Sequence, residues 1–114
     1  MSAPALQPLS ADVSVAPQLD PAAMAWAAQA GFRSVNNNRP DFEGGPGQPT
    51  HAAMLAAASA AGLNYAFLPV APTVQTADEV AAFAALLADL PKPILAFCRS
   101  GTRSAKLYRA ATGG

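Results

Sequence analysis

Ile94-Leu95-Ala96-Phe97-Cys98-Arg99-Ser100-Gly101-Thr102-Arg103-Ser104 is the stretch on which the reading of this chain turns. Its first four residues form an apolar run that predicts a buried strand. Ser104-Ala105-Lys106-Leu107-Tyr108-Arg109-Ala110-Ala111 predicts the first turns of a helix. The only cysteine of the chain therefore sits where a strand ends and a helix begins. Backbone N–H groups at such a junction are unpaired and converge, which suits an anion. The same field, with the guanidinium groups of Arg99 and Arg103, favours a thiolate.

Working back from this loop, the chain reads as repeated strand and helix. Val13 and Val15 alternate with polar neighbours and predict a first strand ending near Pro17. Asp20-Pro21 predicts a helix start, with Asp20 as the cap and proline in the first helical position. That helix should run to Ala30, close at Gly31 and pack through Met24, Trp26 and alanines. A second strand is expected from Phe32 to Asn36. The loop from Asn37 to Pro49 holds Pro40, Gly44, Gly45, Pro46 and Gly47, and is long enough to be functional.

Thr50 can cap a helix ending at Gly62, with Met54, Leu55 and Ala58 on its packing face. His51, in its first turn, is expected to be a solvent-exposed polar residue. Asn64 to Val70 predicts a third strand. Thr76-Ala77-Asp78-Glu79 is a capping box, and Val80, Phe83, Leu86, Leu87 and Leu90 behind it carry clear helical periodicity.

Strand and helix alternate four times, which implies an α/β fold. The expected architecture is a parallel sheet of about four strands, right-handed crossovers and helices on both faces. Ligands of such sheets bind beyond the carboxyl ends of the strands. The loops after Asn36, Val70 and Phe97 all leave from that edge. The chain is expected to form one domain over residues 9–112, with residues 1–8 a disordered Ala/Pro-rich extension.

Bulk properties narrow the function. Seven basic and seven acidic residues give a formal charge of zero, which argues against nucleic acid or a membrane surface as partner. The distribution is uneven, because Arg99, Arg103, Lys106 and Arg109 fall within one short segment. No apolar run approaches membrane-spanning length, and no basic-then-apolar leader opens the chain. A single cysteine excludes an internal disulfide, and one histidine leaves little for a metal site. No metal or organic cofactor is implied, and the thiol fits a reducing cytoplasm.

Within the loop, Gly101 lets backbone N–H groups turn inward, and Arg99, Ser100, Thr102 and Ser104 supply further donors. Arg103 can hold two oxygens of an oxyanion through its forked guanidinium. Cys98 is the candidate nucleophile. A buried cysteine acting only as a small hydrophobe is the plainer alternative; the cysteine–glycine–arginine spacing after an apolar strand favours a reactive site.

The loop from Cys98 to Ser104 resembles the active-site loops of both rhodaneses and cysteine-dependent phosphatases. Over residues 9 to 110 the chain resembles the bacterial phosphatase-like domain fused to beta-lactamase-like hydrolases. The segments that carry this likeness are Val13-Ser14-Val15-Ala16-Pro17-Gln18, Ala30-Gly31-Phe32-Arg33-Ser34-Val35, Asn37-Asn38-Arg39-Pro40-Asp41, Gly47-Gln48-Pro49, Ala60-Ala61-Gly62-Leu63 and the cysteine loop. The resemblance implies a cysteine-phosphatase-like fold, with Cys98 as nucleophile and Arg103 as oxyanion binder.

The sequence departs from the phosphatase pattern in two ways. Four residues separate Cys98 from Arg103, the rhodanese length, where phosphatase loops have five. The loop after the third expected strand lacks the aspartic acid that phosphatases use to protonate the leaving group. Asp41, with Glu43 beside it on the long loop, is then the candidate general acid, although it can equally shape the turn after Pro40. Three readings stand. The first is hydrolysis of a phosphate ester through a phosphocysteine. The second is sulfur transfer from a sulfane sulfur donor through a persulfide on Cys98. The third is non-catalytic binding of a small oxyanion or phosphorylated ligand.

Overall fold

The computed structural model describes residues 5–113. In chain order the elements are β1 (Gln7–Pro8), β2 (Val13–Ala16), α1 (Ala23–Gln29), β3 (Ser34–Asn37), α2 (His51–Ala60), β4 (Asn64–Phe67), α3 (Ala77–Asp89), β5 (Ile94–Phe97) and α4 (Thr102–Thr112). The sheet order is β1-β2-β5-β3-β4. β2, β5, β3 and β4 are parallel, and β1 pairs antiparallel with β2.

β5 lies at the centre, with Leu95 opposite both Ser14 of β2 and Val35 of β3. All four of its residues are buried, as a parallel strand covered on both faces requires. Successive side chains of a strand leave on opposite faces. Leu95 and Phe97 thus join Met24, Val35, Met54 and Ala58 beneath α1 and α2. Ala96 joins Val15, Phe83 and Leu107 beneath α3 and α4. The architecture is the expected α/β sheet with helices on both faces, with five strands where about four were expected.

The Thr76 capping box acts as read, whereas α1 starts at Ala23, two residues later than expected, with Ala22 and not Asp20 at its cap position; Asp20 and Pro21 form the turn before it. Asp20 Oδ1 accepts the Ala23 N–H at 2.9 Å, and α1 ends before Gly31, whose φ is +101°. Thr76 Oγ1 accepts the Glu79 N–H at 3.1 Å, while Glu79 Oε1 accepts the Thr76 N–H at 2.8 Å.

Several details differ from the sequence reading. Gln7 and Pro8, expected within a disordered extension, pair with Val15 and Ser14; residues 1–4 of that extension lie outside the described residues. Proline suits this place because an edge strand has no outer ladder for its missing N–H to serve. β3 begins at Ser34, since Phe32 instead packs against Trp26, with ring centroids 6.3 Å apart. β4 ends at Phe67, although the Leu68 and Val70 N–H groups still bond Asn37 and Asn38 carbonyls. Leu55 is exposed; Met54 and Ala58 form the buried face of α2. His51 is half-buried, stacked on Phe67 at 4.3 Å. Among the described residues, no helix is long and apolar enough to cross a membrane.

Candidate active site

Cys98 follows β5 directly and is buried. The Gly101 N–H donates to Cys98 Sγ at 3.1 Å. This bond requires the loop to double back, and Gly101 does so with φ +89°. A side chain there would be strained, and its Cβ would stand 3.4 Å from the Ala16 carbonyl group. The loop is also tied to the end of β2. The Cys98 N–H donates to the Ala16 carbonyl at 3.4 Å, and the Gln18 N–H to the Arg99 carbonyl at 3.2 Å.

α4 starts at Thr102, so its positive end lies at the cysteine loop. The Ser100 hydroxyl donates to Thr102 Oγ1 at 3.2 Å on the exposed side of the loop. A cleft of about 280 Å³ is lined by Cys98, Arg99, Ser100, Thr102 and Arg103 together with Pro72, Gln75 and Lys106. Five of the expected site residues thus face one space, and Gly101 acts through its N–H. Ser104 is the exception. One position beyond Arg103 on a helix is about a quarter-turn away. Its hydroxyl donates to Asn38 Oδ1 at 2.8 Å within the protein, and Asn38 Nδ2 donates to the Leu68 carbonyl at 3.1 Å.

Arg103 is buried and held from two other loops. Nη1 donates to Glu43 Oε2 at 3.1 Å and to the Val70 carbonyl at 3.0 Å; Nη2 donates to Glu43 Oε1 at 3.0 Å. Its Nε is buried with no protein partner. Gln75 Nε2 donates to the Arg103 carbonyl at 3.2 Å, anchoring the loop after β4 to α4. The three loops that topology sends to one edge of the sheet therefore meet around a single guanidinium.

Glu43 also accepts from Arg39 Nε at 2.9 Å, and Arg39 Nη1 donates to Gln18 Oε1 at 3.1 Å. Burial alone would push the Glu43 carboxyl up, but hydrogen bonds and charge from Arg103 and Arg39 outweigh it and hold the group below its usual range. Glu43 is consequently an ionised bridge between two arginines. Asp41 is placed differently. Its Oδ1 accepts the His51 N–H at 2.7 Å, at the head of α2, and it lines neither cleft described here.

A second cleft, of about 540 Å³, shares Pro72, Arg99 and Arg103 with the first and adds Arg39, Glu43 and Gly44. The weight of Glu43 and the contributions of Gln18 and Asn38 were not evident from sequence, whereas Lys106 belongs to the cation cluster that was. A signal did exist for Asn38 and Arg39. A run of three amides and an arginine, Asn36 to Arg39, closes β3 and opens the long loop, and it is buried throughout, which an ordinary loop would not be.

The comparisons bear on family and fold. The family model for the phosphatase-like domain of beta-lactamase hydrolase-like proteins matches residues 5–114. A beta-lactamase hydrolase-like protein of Agrobacterium fabrum is 46% identical over 79 residues, covering 68% of this chain and 18% of that protein. This chain thus spans less than a fifth of that relative's length. A provisionally assigned phosphatase of Neisseria meningitidis superposes with a TM-score of 0.82 at 31% identity, over 89% of this chain and 71% of that one. Tk-PTP in its active form shares the fold, with a TM-score of 0.67 at 14% identity over 94% of this chain and 80% of that one. By the match along nearly its whole length, the chain belongs to the phosphatase-like domain family of the beta-lactamase hydrolase-like proteins.

Proposed function

We propose that this domain is a cysteine-dependent, phosphatase-like hydrolase of a phosphate ester, with Cys98 as nucleophile. The observation that carries the reading is the pairing of two unusual features in one cleft. A backbone N–H donates to the cysteine sulfur, and a buried guanidinium keeps its Nε–H without a protein partner. The first stabilises a thiolate; the second suits an oxyanion. In this mechanism Cys98 Sγ attacks phosphorus and the P–O ester bond breaks, its electrons leaving with the alcohol oxygen. Arg103 and the N–H groups opening α4 stabilise the charge on the phosphoryl oxygens. Water then attacks the phosphocysteine, the P–S bond breaks, and phosphate leaves with the thiolate regenerated.

A second reading is favoured because, among the described residues, no free carboxylic acid lines the cleft. Glu43 is ionised and bonded through both oxygens, and Asp41 is engaged by the His51 N–H. Sulfur transfer needs no such acid. Cys98 would attack the sulfane sulfur of a donor such as thiosulfate, the S–S bond would break, and sulfite would depart as an anion. The resulting persulfide would pass its outer sulfur to an acceptor thiolate. The four-residue spacing between Cys98 and Arg103 also suits this smaller group.

Intact-mass analysis after separate incubation with an aryl phosphate and with thiosulfate distinguishes them. A phosphoryl adduct that is lost in Cys98→Ser supports the hydrolase. An added sulfur without a phosphoryl adduct overturns it in favour of the transferase. Neither adduct would leave the domain as a binder of oxyanions.

A further inference from the structure

We infer that the cleft beside the cysteine loop holds a second oxyanion of the same ligand, so that the preferred substrate is a small phosphate ester bearing another carboxylate or phosphate. This inference rests on the reading of the Cys98 cleft as the place of the reacting phosphate.

The charge of the second cleft is the first ground. It is lined by three guanidinium groups, of Arg39, Arg99 and Arg103, and by one carboxylate, of Glu43. Three positive charges against one negative leave an excess of two, and both Glu43 oxygens are already occupied by arginine N–H groups. Arg99 is exposed and makes no salt bridge among the described residues.

The orientation of Arg39 is the second. Its side chain is only 10% exposed, with Nε on Glu43 and Nη1 on Gln18. Those two bonds fix the plane of the guanidinium and leave Nη2 without a hydrogen bond among the described residues. A cation fixed in this way, with a donor to spare, needs no reordering to receive a carboxylate or phosphate oxygen.

Gly44 is the third ground. Its φ lies outside the left-handed region, so its backbone does not demand glycine. Space does. A Cβ at this position would stand 2.7 Å from Arg39 Nη2 and 3.2 Å from Gln48 Oε1. The absent side chain keeps open the approach to the one Arg39 nitrogen that the protein leaves unbonded. Because Arg99 and Arg103 line both clefts, one small molecule can present its phosphate to Cys98 and its second anion to Arg39 and Arg99.

The test is calorimetric binding of ω-carboxyalkyl phosphates of increasing chain length, each beside its neutral methyl ester, to the 114-residue chain carrying Cys98→Ser. At one chain length the free acid should bind about tenfold or more tightly than its ester, the scale of one added charge-assisted hydrogen bond. Gly44→Ala and Arg99→Ala should each bring that ratio towards one, whatever they do to the affinities themselves, and Arg99→Lys should retain more of it. Esters and acids binding equally would overturn the second site while leaving the Cys98 cleft as a phosphate site. A preference independent of chain length, or one that survives both alanine variants, would be general attraction and would also overturn it. Failure of every phosphate to bind would remove the reading of the Cys98 cleft, and this inference with it.

Discussion

Glu43 grips Arg103 with both carboxylate oxygens, at 3.0 and 3.1 Å, across 60 residues of sequence. The grip fixes the plane of the guanidinium and leaves Nε without a protein partner. Glu43→Gln should therefore lower kcat/KM for an aryl phosphate by about tenfold to a hundredfold, the reach of a misplaced positioning contact. It should also reduce stability by about 1–3 kcal/mol, since an amide cannot satisfy two guanidinium groups. Steady-state kinetics and urea denaturation check the two effects; an unchanged kcat/KM would mean Arg103 is held well enough by the Val70 carbonyl alone.

The same carboxylate gives a pH dependence. Its folded-state value is held below the ordinary 4.5. The folded state thus binds that proton less readily than the unfolded chain, and the stabilisation is fully present above about 4.5. It fades as pH falls from there through the lower folded value. Urea stability measured across this acid range should fall more steeply in the parent than in Glu43→Gln. Parallel curves would remove Glu43 as a source of acid sensitivity.

Gly101→Ala probes the sulfur's hydrogen bond. The left-handed backbone at +89° and the nearby Ala16 carbonyl both oppose a methyl group, at about 1–2 kcal/mol for the backbone. As the loop relaxes, the N–H should leave Cys98 Sγ. Iodoacetamide alkylation of Cys98 at neutral pH should slow severalfold, against a small loss of thermal stability. Alkylation at the parent rate would show that the reactivity of Cys98 does not depend on this donor.

Asp41 offers a comparison of leaving groups. Held by the His51 N–H, it should act on the loop rather than on the departing oxygen. Asp41→Asn should then slow alkyl and activated aryl phosphates by similar factors. A loss of about a hundredfold confined to the alkyl ester would instead identify Asp41 as the general acid.

What could be read from sequence was what is local or periodic. The Thr76–Glu79 capping box, the apolar run of β5 and the glycine of the cysteine loop each announce themselves within a few residues. The alternation of these elements was enough to bring three loops to one edge. The bridge from Glu43 to Arg103 was hidden because it depends on how a loop folds over the first turn of a helix sixty residues away. Ser104 was grouped with the anion loop by adjacency, whereas helical rotation takes its hydroxyl to Asn38. Leu55 was grouped with Met54 by hydropathy; the small, alanine-rich α2 needs only Met54 and Ala58 to cover its side of the sheet.

The central position of β5 has a consequence for how the domain comes apart. β5 is bonded along both edges and buried over its whole length, so its amides can exchange with solvent only when the sheet itself opens. Cys98 is the next residue. It lines the cleft, so its reactivity should follow the surrounding loops, while the amides just before it follow the sheet. In a denaturant series, deuteration of β5 should converge on the free energy of global unfolding, whereas labelling of the thiol should keep the faster course of the cleft, so that adjacent positions report two different openings of the domain.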